Sequence, residues 1–191
     1  MLIKNNSKYL VIFLKDGIIL VCEVIMELWD IYDKNKNKTG KVIQRGELLK
    51  EDEYHLIVHI WIKNSNNEFL IQQRSERVKN PLVWCATGGS VVAGEDSYTG
   101  MLREVKEELG IDISKCDGYL FDSSLYEEDN QKYWCDTYLY FIDIDVNSLS
   151  LQKEEVKQVK YEKMSVIKKM MNTGQFFIYD YLDELEKAKL D

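Results

Sequence analysis

Apolar and polar residues follow a strand-like pattern over residues 54–63, YHLIVHIWIK. Its β-branched run predicts the strongest strand of the chain. The polar turn NSNNE at 64–68 leads into FLIQQR at 69–74, which reads as the second arm of a hairpin. Upstream, residues 26–50 read as strand, polar turn and strand, with the turn in DKNKNKTG. Loop residues 75–81 end at Pro81, the only proline. Further strands are expected near 118–126, 132–144 and 155–161. The period becomes helical over 96–109, where Leu102, Val105 and Leu109 recur at i, i+3 and i+7, with Tyr98 one turn earlier. Gly110 stops that helix. Two more helices are predicted near 164–171 and 179–189. No repeat or low-complexity linker separates these elements, so one α/β or α+β domain fits.

The first 25 residues stand apart. Residues 9–25, YLVIFLKDGIILVCEVI, are very apolar but are interrupted by Lys15, Asp16 and Glu23. A membrane helix needs about 20 mostly uncharged residues, so no membrane span is expected. No small-residue cleavage site follows the run. Asp16-Gly17 between β-branched runs predicts a hairpin of strands 9–14 and 18–25. Met26 is equally readable as a start, with residues 1–25 an N-terminal extension and 26–191 the working domain.

Composition narrows the function classes. A chain of 191 residues with 45% apolar and 12% aromatic residues is long enough for one globular core. A formal net charge of −8 argues against nonspecific nucleic-acid binding, because a phosphate-backbone binder is usually basic. An acidic protein that handles phosphates needs a metal or a few local cations. Cys22, Cys85, Cys116 and Cys135 have neither CxxC nor zinc-finger spacing, and read as reduced, mostly buried thiols of a cytoplasmic protein. His55 and His59 would suit a zinc pair on a helix. On a strand they share a face about 13 Å apart, which leaves them structural or supporting.

The stretch GGSVVAGEDSYTGMLREVKEELGI gathers Glu95, Asp96, Glu104, Glu107 and Glu108 around a glycine-rich turn. On a helix, Glu104, Glu107 and Glu108 project together, while Val105 and Leu109 point to the core. Such a face repels itself unless something positive sits among the carboxylates. Mg²⁺, which prefers oxygen ligands and keeps sites open for substrate phosphates, is the natural answer. Arg103 is expected to swing away to Glu95 and pin loop to helix. Gly88 and Gly89 allow a tight turn, and a backbone carbonyl there could add a ligand.

From Gly89, five residues lead to Glu95 and seven more to Arg103-Glu104, followed by Val105, Lys106, Glu107-Glu108, Leu109, Gly110 and Ile111. This resembles the Nudix box, with every specified position matched across 23 residues. The resemblance implies an α/β/α sandwich with a mixed sheet. It also implies hydrolysis of a nucleoside diphosphate linked to another group, with Mg²⁺ or Mn²⁺. By match, Glu104 and Glu108 would be the main metal ligands, Glu107 a further ligand or the group that activates water, and the Gly88 carbonyl an extra ligand. Arg103 joins the catalytic set, and Gly89, Glu95 and Gly110 are structural in the motif. Gly100 departs from the frequent alanine, at a cost of about 1 kcal/mol inside a helix unless close packing on the sheet offsets it.

LWDIYDKNKNKTGKVIQRGELL and YHLIVHIWIKNSNNEFLIQQRS extend the resemblance upstream, toward the Nudix branch allied to isopentenyl-diphosphate isomerase, over roughly residues 26–175. Isopentenyl-diphosphate isomerase is therefore one alternative. It uses a cysteine in a CGH segment, where this chain has Gly88-Gly89-Ser90, and Cys85 is no obvious substitute. His55 matches one isomerase histidine, too few for that enzyme's second metal site. A non-catalytic nucleotide-sensing module is the other alternative, and the intact carboxylate set argues against it. Arg74 and Lys79 match basic positions that contact diphosphate in the isomerase relatives. An aromatic among Tyr126, Tyr133 and Trp134 could stack a base, although core packing is the plainer reading. The expected partner is a small-molecule diphosphate, and a homodimer is compatible with the sequence.

Overall fold

A computed structural model of the chain describes residues 7–13, 19–128 and 131–190. Strands β1 (Ser7–Phe13) and β2 (Ile19–Ile25) pair antiparallel with each other, Ser7 opposite Ile25. The turn read at Asp16-Gly17 lies outside the described residues. Strands β3 (Leu28–Tyr32) and β4 (Lys38–Gln44) form a second hairpin, as the polar turn between them requires.

The central sheet holds β5 (His55–Lys63), β6 (Glu68–Arg74), β7 (Trp84–Cys85), β8 (Thr87–Ser90), β9 (Gly118–Glu128), β10 (Gln131–Phe141) and β11 (Val156–Lys163). Its main path runs β11-β6-β5-β10-β9. The β5–β10 pair is parallel and the others antiparallel, so the sheet is mixed. β5 and β6 pair only at Ile62–Leu70 and Lys63–Phe69. The chain then returns into the gap between them, β7 on β6 and β8 on β5. This wedge carries Gly88 and Gly89 into the middle of the sheet. No strand was expected there, because two- and four-residue strands rich in glycine carry no readable period.

Helices cover both faces. Helix α1 (Ser97–Leu109) lays Met101, Val105 and Leu109 on Leu56, Val58, Ile60 and Ile62 of β5. On the opposite face, Met164 and Ile167 of α2 (Met164–Asn172) and Leu182 and Leu185 of α3 (Leu182–Lys187) join Trp61, Phe69, Ile71 and Leu139. The result is the expected α/β/α sandwich. Among the described residues no helix is long and apolar enough to cross a membrane.

Two element boundaries fall three residues from where the sequence reading put them. The helix expected from 179 starts only at Leu182. Tyr179 and Tyr181 turn their rings into the core, where their hydroxyls meet Ala86 N at 3.2 Å and His59 Nδ1 at 3.0 Å. The strand expected to 144 ends at Phe141, where the chain heads into a short 3-10 turn (Val146–Ser148) capped by Asp145. Cys85 and Cys135 are buried, Cys116 is partly buried, and all three are free thiols. Tyr126 and Tyr133 stack on one another at 5.3 Å, and Trp134 donates to the Asp33 carbonyl at 3.0 Å.

Candidate active site

Helix α1 is fixed at both ends. The Asp96 carboxylate accepts from Thr99 N at 2.7 Å as its N-cap, and Gly110 closes it in the left-handed region at φ 76°. Gly100 sits tight on the loop that follows β8, since a Cβ there would lie 2.9 Å from Val91 Cγ2. Close packing therefore offsets the propensity cost of a mid-helix glycine. The helix thereby presses its carboxylate face against the wedge of β7 and β8.

Glu108 is 5% exposed. Its Oε2 accepts from Gln72 Nε2 at 2.9 Å and from Gly88 N at 3.3 Å, and Gln72 Oε1 in turn accepts from Thr87 Oγ1 at 3.0 Å. Glu104 packs against Gly89, where a Cβ would come within 2.4 Å of its Oε1. Glu107 is the open member, with its side chain 50% exposed. Burial pushes the Glu104 carboxyl up to about 7 and that of Glu108 up to about 8. Arg103 opposes the first rise and Gln72 the second, and neither prevails.

Arg103 reaches further than its sequence position suggested. It does swing to Glu95, with Nε 3.0 Å from Oε1. Its Nη1 also donates to Glu104 Oε1 and Glu107 Oε2, both at 2.9 Å, and its Nη2 donates to the Ser90 carbonyl at 2.8 Å. One guanidinium therefore ties the loop, the wedge and two of the three helix carboxylates. Burial works against its charge, but Glu95 and Glu104 outweigh that and hold it protonated.

These groups line a cleft of about 380 Å³. As they stand, Arg103 is the counter-charge of the carboxylates, and among the described residues no group of three acidic, His or Cys side chains closes around a single point. The donor set nonetheless suits a hard divalent cation. Glu104 and Glu108 are carboxylates that burial drives toward protonation, and Glu107 stands open beside them.

Several cleft residues come from segments far from the box. Arg74 of β6 lines it, with Nε donating to the Lys79 carbonyl at 2.9 Å and its guanidinium 5.7 Å from the Phe177 ring centre. Lys79 is exposed and outside the lining, so it supports Arg74 through its backbone. Glu27 and Arg45, paired at 2.6 Å beside the β3–β4 hairpin, bring another charged pair to the rim. Glu155 adds a carboxylate whose charge helps raise Glu108, and Phe177 and Tyr179 enter from the segment after α2. Arg74 was expected from the sequence; Glu27, Arg45, Glu155, Phe177 and Tyr179 were not, since only their charge or aromaticity marks them. His59 lines the cleft but is anchored inward on Tyr181 and Cys135, whereas His55 stacks on Trp29 at 4.0 Å. The two histidines do not share a site. Cys85 lies in the cleft wall, where burial pushes its thiol up to about 12 and the Glu108 charge adds to the rise. A thiol that keeps its proton is a poor nucleophile.

Comparison with known proteins agrees with this architecture. The NUDIX domain family model matches residues 53–182. An uncharacterized Nudix hydrolase of Listeria monocytogenes is 35% identical over 166 residues, spanning 86% of this chain and 96% of that protein. Nudix hydrolase 3 of Arabidopsis thaliana is 33% identical over 147 residues, covering 71% of this chain and 19% of that protein. Among solved structures, DR0079 of Deinococcus radiodurans superposes with a TM-score of 0.68 at 19% identity, over 84% of this chain and 98% of that one, a likeness that shows the fold. With the box intact on its helix and its carboxylates in the cleft, this chain belongs to the Nudix family, as an enzyme acting on phosphoric anhydride bonds.

Proposed function

We propose that this protein is a Mg²⁺-dependent pyrophosphohydrolase that cleaves the diphosphate linkage of a nucleoside diphosphate derivative or a related small phosphorylated metabolite. One observation carries the reading: Glu104, Glu107 and Glu108 line one cleft, Glu108 buried and Glu104 largely buried against its wall and Glu107 open to solvent. Glu104 and Glu108 are the metal ligands in this account, with the Gly88 carbonyl as a further one. Mn²⁺ is an acceptable substitute. Bound there, the ion would supply charge neutralisation for the diphosphate and a water of lowered pKa.

The chain's own groups do the rest. Gln72 and Gly88 N orient Glu108, while Arg103 and the bare Cα of Gly89 fix Glu104. Glu107, the carboxylate open to solvent, is suited to ligate or to take the proton of the attacking water. With its donors committed, Arg103 positions rather than binds substrate, which leaves Arg74 and Arg45 as the cleft cations that face phosphate oxygens. The free thiols of Cys85, Cys116 and Cys135 support a cytoplasmic setting.

The test is a product screen in Mg²⁺ over nucleoside di- and triphosphates, nucleotide sugars, dinucleotides and isopentenyl diphosphate. Release of a phosphorylated product from one nucleotide class, lost in Glu107→Gln, supports the reading and names the class. Isomerised isopentenyl diphosphate would overturn it.

A further inference from the structure

Apart from His59, the aromatic side chains lining the cleft are Phe177 and Tyr179. Tyr179 is already engaged. It is 6% exposed, its hydroxyl accepts from Ala86 N at 3.2 Å, and its ring meets Trp61 at 5.3 Å and His59 at 5.1 Å, both edge to face. Phe177 is different. It is half-buried and packs at the edge of the core cluster of Trp61, Phe69 and Phe176, no ring among the described residues stacks on it, and the Arg74 guanidinium lies 5.7 Å from its ring centre.

Its backbone is held firmly. Phe177 N donates to the Trp84 carbonyl and Trp84 N to the Gln175 carbonyl, both at 2.9 Å. Phe176 then turns inward, 2% exposed and stacked on Trp61 at 6.2 Å, while Phe177 turns to the cleft. A fixed apolar ring is thus set into a cleft wall that also carries five glutamates and three arginines. Apolar surface left facing water is unfavourable, and a planar ligand laid on the exposed part of the ring would cover it.

We propose that Phe177 is the surface on which the base of the substrate stacks, with Arg74 bracing the ring and setting positive charge beside it, so that the site selects nucleoside over non-aromatic diphosphates. This deepens the hydrolase reading and rests on it for the phosphate end. Base–aromatic stacking is worth about 1–3 kcal/mol, roughly 5- to 100-fold in affinity.

The test compares mononucleotides (AMP, GMP, CMP and UMP) with ribose 5-phosphate, which lacks the base and carries no anhydride to hydrolyse. Binding is measured by calorimetry in Mg²⁺ on the full chain. At least one mononucleotide should bind about 5- to 100-fold more tightly than ribose 5-phosphate. Phe177→Leu should erase that advantage without weakening ribose 5-phosphate, and Phe177→Trp should retain it. Equal binding of all five ligands overturns the proposal, as does an advantage that survives in a Phe177→Leu protein with wild-type melting. Turnover of a diphosphate with no Phe177-dependent advantage sinks this proposal alone. Phe177-dependent nucleotide binding with no anhydride hydrolysed sinks the hydrolase reading alone.

Discussion

Gly89 and Glu104 occupy nearly the same space: a Cβ at position 89 would lie 2.4 Å from Glu104 Oε1 and 2.6 Å from Oε2. The atoms in the way are the flexible end of a side chain, so Gly89→Ala should leave the fold intact and push the carboxylate aside. Displacing a reacting constellation by about 1 Å costs on the order of 100-fold in rate. The expected outcome is a protein with near-wild-type melting and a kcat about 100-fold lower, measured on the substrate found in the screen. Wild-type kcat would show that Glu104 need not stand where it does.

Gln72 ties Thr87 to Glu108 across the wedge. Groups that orient a metal ligand are worth about 10- to 100-fold in metal affinity or activity. Gln72→Leu, which keeps the apolar stem and removes both polar atoms, should weaken Mn²⁺ binding by that factor in a calorimetric titration. Unchanged affinity would mean that Glu108 is oriented without it.

Arg103 spreads four anchoring contacts over Glu95, Glu104, Glu107 and the Ser90 carbonyl, geometry that a planar fork allows and an ammonium does not. Arg103→Lys keeps the charge but not the bridge. A loss of about 100-fold in kcat is expected, with KM changed far less, because the residue positions the carboxylates rather than holding substrate. A pure KM effect would instead make Arg103 a substrate contact.

The His55 imidazole is pushed down to about 4, mainly by burial, with the Arg45 charge adding, and its Nδ1 is buried with no hydrogen-bond partner among the described residues. Between pH 6.5 and 4 the unfolded chain binds a proton at this residue and the folded protein does not. The histidine therefore contributes stability that is present above 6.5 and lost as pH falls toward 4. Its slope is at most about 1.4 kcal/mol per pH unit. Glu104 and Glu108, with raised folded values, act in the opposite sense above their ordinary range, so the useful quantity is a difference. Denaturant titrations at pH 7 and pH 5 should show a smaller acid loss for His55→Gln than for wild type, and equal losses would contradict this account.

The sequence was most readable where local pattern and chemistry coincide. The box from Gly89 to Ile111 could be placed because helical spacing brings Glu104, Glu107 and Glu108 to one face within a matching motif, and the β-branched run of residues 54–63 marked the central strand. What escaped was tertiary. The wedge of Trp84–Cys85 and Thr87–Ser90 owes its strand state to the gap between β5 and β6 rather than to any propensity of its own. Glu27, Arg45, Glu155 and Phe177 reach the cleft from four separate segments, and no spacing rule links them to the box. Lys79 lies outside the cleft lining and meets Arg74 through its carbonyl, a contact that any residue type could make and no charge pattern marks.

The most direct test of the carboxylate site is the initial rate of anhydride hydrolysis with and without Mg²⁺, for wild type and for Glu104→Gln at matched folded concentration. Turnover should require Mg²⁺ in the wild type and fall by about 100-fold or more in the variant. Equal rates for the two proteins, or full activity in a metal chelator, would contradict it.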